Sequence, residues 1–339
     1  MIYIHVPFCK SFCIYCDFYS ELSCRKESGR KRYTEDLLKE ISFRKEQILS
    51  TGKVNTLYIG GGTPSVMPLP FFDSVLKALP LGGFEEFTVE VNPDDIVREG
   101  LPYARGLRDL GVNRISMGVQ SLDDDLLRWM GRRHDAATAR KAFGILREAG
   151  FGNISLDVIF GINGLGDTTL RETLSGIIAL GPEHISAYQL SIEEGTRLSD
   201  LQKAGQYSPL PDEDCAGQYA LICSALREAG YEHYEISNWA RPGCRARHNG
   251  AYWDRSPYVG LGPGAHSFLI SEKGQIRSWN SQQKSGWTSE SETLSAQEIR
   301  EETIMLGLRR KEGIDIEGRH LCIPEDKWFI SDSIIEDLI

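Results

Sequence analysis

Along roughly the first 200 residues, short apolar runs with the period of a β-strand alternate with longer segments in which apolar residues return at the period of an α-helix. Strands are predicted at Ile2 to Val6, Thr56 to Ile59, Phe87 to Val91, Arg114 to Gly118, Ile154 to Phe160 and His184 to Leu190. Helices are predicted between them at Tyr33 to Leu49, Leu69 to Leu79, Tyr103 to Leu110, Ala136 to Ala149 and Thr168 to Leu180. Gly111 and Gly150 directly follow two of these helices, where a helix end wants a left-handed residue.

Strands that alternate with helices imply parallel pairing through right-handed crossovers. Both a doubly wound sheet and a partial (β/α)6 barrel satisfy that pattern. The junctions after the strands favour the barrel, because each carries unusual residues: Cys9 to Cys16, Gly60 to Thr63, Glu90 to Pro93, Gln120 to Ser121, Asp157 to Gly161 and Ser191 to Gly195. In a barrel all such junctions meet at one face.

The pattern changes after about residue 200. Pro209 and Pro211 break the chain, a helix is expected at Glu213 to Ala229 and a strand at Tyr234 to Ser237, and a glycine- and aromatic-rich region runs to Phe268. From Ala296 a helix leads into a tail in which Gly318 to Ile339 holds one helix at most. The expected class is thus α/β, a partial (β/α)6 barrel over 1–200, a smaller α/β extension over 201–295, and a short helical lid over 296–339.

Composition narrows the partners. The formal net charge of −10 argues against binding phosphate backbones. One basic stretch, Arg241, Arg245, Arg247 and His248, reads either as a solvated face or as an anion site. No apolar run approaches the ~20 residues of a bilayer span, and the N-terminus has no secretory pattern. Of the eight cysteines, Cys9, Cys13 and Cys16 are clustered and the others scattered, which is not a disulfide framework. A cytoplasmic protein with reduced thiols is expected.

Cys9, Cys13 and Cys16 place three soft ligands on one loop after the first strand. A structural zinc site takes four ligands, which would require Cys24 or His5. A [4Fe–4S] cube is held by thiolates, and three of them leave one iron open to another ligand. The spacing, with Gly60-Gly61-Gly62-Thr63 after the second strand, resembles the radical S-adenosylmethionine (SAM) superfamily. The resemblance implies that SAM chelates the open iron and is cleaved reductively to a 5′-deoxyadenosyl radical, with a flavodoxin or ferredoxin as electron donor. It assigns Gly61, Gly62 and Thr63 to the methionine end of SAM, and Glu90, Gln120, Arg132 and Asp157 to the SAM side of the site. Tyr3 and Tyr15 flank the cysteines, as core aromatics or as SAM contacts. His266, in Gly260-Leu261-Gly262-Pro263-Gly264-Ala265-His266-Ser267, is assigned to SAM by the same resemblance.

Within the superfamily the order of motifs resembles oxygen-independent coproporphyrinogen III oxidase and its relatives, which divide into the decarboxylating oxidase and a haem chaperone (HemW-type) branch. Cys16-Asp17-Phe18 lacks the oxidase's further cysteine, the first strand starts at Ile2 without the oxidase's N-terminal extension, and His248-Asn249-Gly250-Ala251-Tyr252-Trp253 matches the chaperone's His-Asn-x-x-Tyr-Trp. The resemblance implies haem or a porphyrin as cargo, recipient respiratory haem proteins at a membrane, and His248 as a haem ligand. A histidine beside aromatics suits an axial ligand, while Asn249-Gly250 also reads as a turn and Tyr252 and Trp253 as core. The alternatives are the oxidase reaction and, third, a tRNA-modifying enzyme, against which the acidic charge weighs. Gly161-Ile162-Asn163-Gly164 departs from the family's Gly-Leu-Pro-Gly and loses a fixed φ at that turn.

Overall fold

The structure, a computed structural model, describes residues 1–22, 26–52, 54–283 and 285–339. β1 (Ile2–Val6) leads through the cysteine loop to α1 (Glu27–Phe43) and α2 (Lys45–Ser50). Then come β2 (Thr56–Gly61), a 3-10 turn (Pro64–Val66), α3 (Leu69–Ala78), β3 (Glu86–Val91), α4 (Pro93–Asp109), β4 (Arg114–Gln120), α5 (Asp124–Trp129), α6 (Ala136–Glu148), β5 (Ile154–Phe160), α7 (Asp167–Leu180) and β6 (His184–Gln189). The remainder holds α8 (Arg197–Lys203), α9 (Asp212–Glu228), β7 (Glu232–Glu235), β8 (Asn238–Ala240), α10 (Arg247–Trp253), β9 (Val259–Leu261), β10 (His266–Ser271), β11 (Gly274–Asn280), β12 (Ser289–Thr293), α11 (Ala296–Gly307), β13 (Ile314–Ile316), β14 (Arg319–Leu321), a 3-10 turn (Glu325–Ile330) and α12 (Ser331–Glu336).

The main sheet runs β7-β8-β6-β5-β4-β3-β2-β1-β9. From β1 to β6 the strands are parallel neighbours in chain order. A doubly wound sheet reverses its strand order at a switch point, and here the order never reverses. Tyr58 on β2 and Tyr188 on β6 nevertheless line one cavity, so the sheet curls into a partial barrel. It does not close, because β9 pairs with β1 and β8 pairs antiparallel with β6. The extension's strands therefore lengthen both edges of the barrel sheet.

Buried parallel strands commonly read as unbroken apolar runs. Here they alternate: Leu57 and Ile59, Val89 and Val91, Ile115 and Met117, and Leu156 and Val158 enter the apolar core, while Tyr58, Glu90, Ser116, Gly118 and Asp157 face the cavity. The outer face makes the core and the inner face makes the site.

Several helices differ from expectation for local reasons. α4 starts at Pro93, ten residues before Tyr103 by numbering. Pro93 sits in the first turn, where a missing N–H costs little, the Asn92 side chain accepts from the Asp94 N–H, and Gly100 at φ 72° absorbs the kink before Pro102. α1 also begins early, at Glu27, and the helix breaks at Arg44, whose buried guanidinium donates to the Gly260 carbonyl and Ser267 hydroxyl. The proline missing from the Gly161–Gly164 turn is compensated by Asn163, which donates from Nδ2 to the Ser208 carbonyl (2.9 Å) and from its backbone N–H to the Tyr207 hydroxyl. The tail holds one α-helix and a 3-10 turn, together with the β13–β14 hairpin, which the sequence did not suggest. The basic stretch is paired: Arg245 with Glu312 and Glu232, Arg247 with Glu85, and Arg241 stacked on Tyr231. That is a solvated face. No helix among the described residues is long and apolar enough to cross a membrane.

Candidate cluster and cofactor site

The cysteine loop is held at both ends and along its length. The Cys9 N–H donates to the Glu21 carbonyl (3.0 Å) and the Glu21 N–H to the Pro7 carbonyl (2.7 Å), closing its neck. The Ile14 N–H donates to the Met130 carbonyl, and the Leu198 N–H at the start of α8 to the Ile14 carbonyl. Gly131, at φ 78° just after α5, lets that turn lie against Phe12, whose carbonyl would stand 3.2 Å from a Cβ there. A deeper anchor is Asp95 in the first turn of α4. This fully buried carboxylate accepts from Lys10 on the loop (2.7 Å), from Arg133 (2.9 Å), and from Ser65 (3.0 Å), and pairs with Arg98 (3.0 Å). A buried charge with that many partners is satisfied, and removing one would leave the others uncompensated.

The glycine junction after β2 locks against this loop. The Gly62 N–H donates to the Val6 carbonyl (2.9 Å), and a Cβ on Gly62 would stand 2.7 Å from the Phe8 carbonyl oxygen. Gly61, at φ 106°, would place a Cβ 2.6 Å from the His5 ring. Thr63 then brings its hydroxyl 3.3 Å from the Cys9 sulfur. Close approach of two backbones is the reason glycine is needed here.

Together these junctions enclose a cavity of about 430 Å³ lined by Cys9, Cys13, Cys16, Tyr15, Gly61, Gly62, Thr63, Glu90, Gln120, Arg132 and Asp157. Eleven of the residues expected from sequence thus meet in one place. The cavity also takes Tyr58, Ser116, Gly118, Arg133 and Tyr188, which sequence reading missed. For Tyr58, Ser116, Gly118 and Tyr188 the signal was the inward phase of their strands; Arg133, between α5 and α6, had none. Arg132 donates to the Cys13 sulfur (3.5 Å) and to the Gly118 carbonyl. Gln120 ends β4 at φ 70°, an unusual conformation for a non-glycine residue, at a register shift between Gly118 and Gln120. Strained backbone of this kind collects at functional sites.

Glu90 accepts from the Tyr58 hydroxyl (2.7 Å) and the Gly61 N–H (3.1 Å). Burial lifts its carboxyl to about 7, helped by the negative Asp157 and opposed by those two donors. Burial likewise lifts Asp157 to about 6, against the Ser186 hydroxyl and Arg114. A carboxyl raised in the folded state holds a proton that the unfolded chain has lost, so its contribution to stability falls as pH rises from about 4.5 through 7. Glu90→Gln removes that loss. We expect the variant to gain stability over wild type as pH rises, by on the order of 1 to 3 kcal/mol at pH 8; melting temperatures across pH 5 to ~8 test this, and a difference independent of pH would refute it.

Three expected residues lie elsewhere. Tyr3 is beside Tyr58, with ring centroids 6.1 Å apart, and bonds His5 through its hydroxyl (3.1 Å); it does not line the cavity and supports Tyr58 instead. His266 is exposed on β10, stacked against Trp279, and does not line the cavity. The glycines before it do approach β1 and the loop, Gly262 packing on the His5 carbonyl and Gly264 on Tyr19, while the imidazole lies outside the cavity. His248 is the clearest correction. It is 1% exposed, its Nδ1 bonds the Thr56 hydroxyl (2.8 Å) and its Nε2 the Tyr252 hydroxyl (3.1 Å). Thr56 starts β2, so His248 plugs the end of the barrel opposite Gly61–Thr63, and both ring nitrogens are occupied. Of the zinc alternatives, His5 is also doubly engaged, by Tyr3 and the Tyr19 carbonyl, and Cys24 lies outside the described residues.

The sequence pattern of the Radical SAM superfamily matches residues 3–176. The chain is 35% identical over 324 residues to the "Heme chaperone HemW" of Lactococcus lactis, spanning 93% of this chain and 83% of that protein. It is 34% identical over 327 residues to the "Heme chaperone HemW" of Bacillus subtilis, spanning 92% and 84%. The chain belongs to the radical SAM superfamily and, within it, to the HemW family. The coproporphyrinogen III oxidase (HemN) of Escherichia coli superposes with a TM-score of 0.74 at 20% identity, covering 92% of this chain and 75% of that one. It shares the fold.

Membership of the superfamily implies a [4Fe–4S] cluster and SAM. The residues present fit both. Cys9, Cys13 and Cys16 line one cavity, the soft donor set of an iron–sulfur cluster; burial pushes the Cys16 thiol up to about 12, and a bound cation would favour its thiolate. Gln120 Oε1 and Arg132 Nε are buried at the cavity without protein partners, an acceptor and a donor matched to a polar ligand. When bound, the pair supplies one-electron chemistry. Cys9, Cys13 and Cys16 would hold the cluster, Gly61–Thr63 would let a ligand's polar end approach the backbone, and Glu90 would accept from an ammonium or a hydroxyl. Arg132 fixes the loop through Cys13 and keeps its own position through Gly118.

Proposed function

We propose that this protein is a cytoplasmic haem chaperone, which binds haem and hands it to respiratory haem proteins at a membrane. Its cluster and SAM, served by a flavodoxin or ferredoxin, act beside that transfer. The observation that carries this reading is the 34 to 35% identity to haem chaperones over more than nine-tenths of the chain, against 20% to the oxidase that shares the fold. Phe18 supports it. At the position where the resemblance gives the oxidase its further cysteine, this chain puts a phenyl ring 65% exposed on the cavity rim, which Phe12, 54% exposed, also lines. Such a rim suits contact with an apolar partner better than a closed porphyrin-decarboxylating chamber.

The test is one anaerobic preparation with its cluster reconstituted, assayed in parallel for haem binding and for SAM-dependent conversion of coproporphyrinogen III. A Soret shift without protoporphyrinogen is expected; protoporphyrinogen formation would establish the oxidase reading instead.

His248→Ala leaves a cavity and two unpaired hydroxyls, and should cost about 2 to 4 kcal/mol in denaturant unfolding. The folded fraction should keep the wild-type haem spectrum. Loss of the haem spectrum at full folding would restore His248 as a ligand.

A further inference from the structure

The helix that carries His-Asn-x-x-Tyr-Trp, α10, is fastened to the barrel strands from below. The Arg247 and His248 N–H groups both donate to the Glu86 carboxylate at the start of β3 (2.9 Å each), and His248 Nδ1 bonds the Thr56 hydroxyl at the start of β2 (2.8 Å). On its other side, Nε2 bonds the Tyr252 hydroxyl, one helical turn on (3.1 Å). Held in this way, the imidazole lies against the ring of Tyr58, with centroids 5.2 Å apart and planes at 34°.

Tyr58 follows Thr56 by two residues on β2 and so shares its inward face. Its ring spans the step from the buried histidine to the floor of the cofactor cavity. There its hydroxyl donates to Glu90 Oε1 (2.7 Å), while the Gly61 N–H donates to Oε2 (3.1 Å). One donor on each oxygen fixes the plane of the carboxylate and leaves each oxygen a lone pair for a ligand. Gly60 gives the two side chains room to meet, since a Cβ there would stand 2.7 Å from the Tyr58 ring and 2.8 Å from Glu90 Oε1.

The same hydroxyl bears on the charge of Glu90. Burial raises that carboxyl, and the Tyr58 donor is the strongest influence against the rise; Asp157 from β5 adds to it, and the Gly61 N–H and Arg114 from β4 oppose it. Tyr3 on β1 and Tyr188 on β6 stand nearby as neutral phenols, burial pushing both hydroxyls up. His248 contributes no charge of its own, because burial drives it down to about 3.

We propose that Tyr58 and His248 are positioning residues of the cofactor site: the motif histidine braces the Tyr58 ring from below, and the Tyr58 hydroxyl keeps Glu90 aimed and ionised toward the ammonium or hydroxyl groups of the ligand. The proposal rests on the superfamily's SAM site and stands apart from haem transfer. On this account the motif serves the cofactor, not the cargo.

The experiment is calorimetric titration of the cluster-reconstituted full chain with S-adenosylhomocysteine, the uncharged-sulfur analogue of SAM, in wild type, Tyr58→Phe, His248→Gln and the double variant across pH ~6 to ~9. Tyr58→Phe removes one oxygen and keeps the ring; His248→Gln can still bond Thr56 but offers no ring to Tyr58. Circular dichroism and iron content check that fold and cluster are kept. Removing a donor that favours the ionised form leaves a proton on Glu90 to higher pH. Binding in Tyr58→Phe should therefore be about 10-fold weaker at pH 7 and within about twofold of wild type at pH 9, its midpoint moved up by about one pH unit. His248→Gln should weaken binding about 3-fold in the wild-type background and no further in Tyr58→Phe, because its effect passes through that ring. Wild-type affinity and pH profile in Tyr58→Phe, or a loss of equal size at every pH, would overturn the proposal, and additive effects of the two substitutions would overturn the part given to His248. Failure of the wild type to bind the analogue at any pH would instead overturn the SAM site on which the proposal rests.

Discussion

Serine at Cys9, Cys13 or Cys16, one at a time, should abolish the iron–sulfur cluster while leaving the fold intact. The loop offers three thiols to a cube with four irons, so each sulfur has an iron to itself and none is spare. The oxygen of serine is a poorer ligand for iron in such a cluster. The thiols are half-buried, and the loop's path is set by other atoms: the Cys9, Ile14 and Leu198 backbone bonds and the Lys10–Asp95 ion pair survive the change. Iron and acid-labile sulfide after anaerobic reconstitution, with far-ultraviolet circular dichroism as control, provide the measurement. A full complement of iron in any of the three variants would show that the loop is not the cluster site.

The second large effect is expected at Gly62. An alanine there meets the Phe8 carbonyl at 2.7 Å and the Phe8 nitrogen at 2.9 Å, both main-chain atoms at the neck of the cysteine loop. Neither can turn away as a side chain would. Because the Gly62 N–H is also tied to Val6, one of the two junctions must move. Gly62→Ala should therefore cost about 2 to 4 kcal/mol and impair cluster assembly as well, since the distortion falls on Cys9. Gly82→Ala, with open space around it, is the control and should be neutral within about 0.5 kcal/mol. Urea denaturation of both variants decides it, and equal midpoints would contradict the packing described here.

Most of the barrel was readable from the sequence because its strands are short and apolar and sit where the period indicates. Boundaries were lost where local chemistry runs against the usual rules. Pro93, Gly100 and Pro102 look like breakers, yet they begin and kink one helix, α4. α5 is only Asp124–Trp129, too short to show a period, and is defined instead by the Asp123 cap. The ladders β10–β11–β12 and β13–β14 are polar or brief, so their pairing depends on turns more than on pattern.

Within the site, residues on motifs were found and residues outside them were not. Gly61 and Gln120 end their strands, and Glu90 and Asp157 are acidic residues within apolar strands, so all four announce themselves; Tyr58 and Ser116 need the inward phase of the barrel to be known first. Asp95 drew no notice in the sequence, and only the fold brings Lys10, Arg98, Arg133 and Ser65 to it. His248 failed for the opposite reason. A motif gives neighbours in the chain, and burial against Thr56 depends on a contact distant in sequence.

The central claim is that the protein carries haem and releases it. The most direct measurement loads cluster-reconstituted protein with haem, removes the excess by gel filtration, and mixes it anaerobically with a haem-free cytochrome while the Soret band is followed. A stable complex is expected, which then loses its haem to the acceptor faster than free haem in buffer is taken up. No retained Soret band after gel filtration, or haem that never leaves, would contradict it.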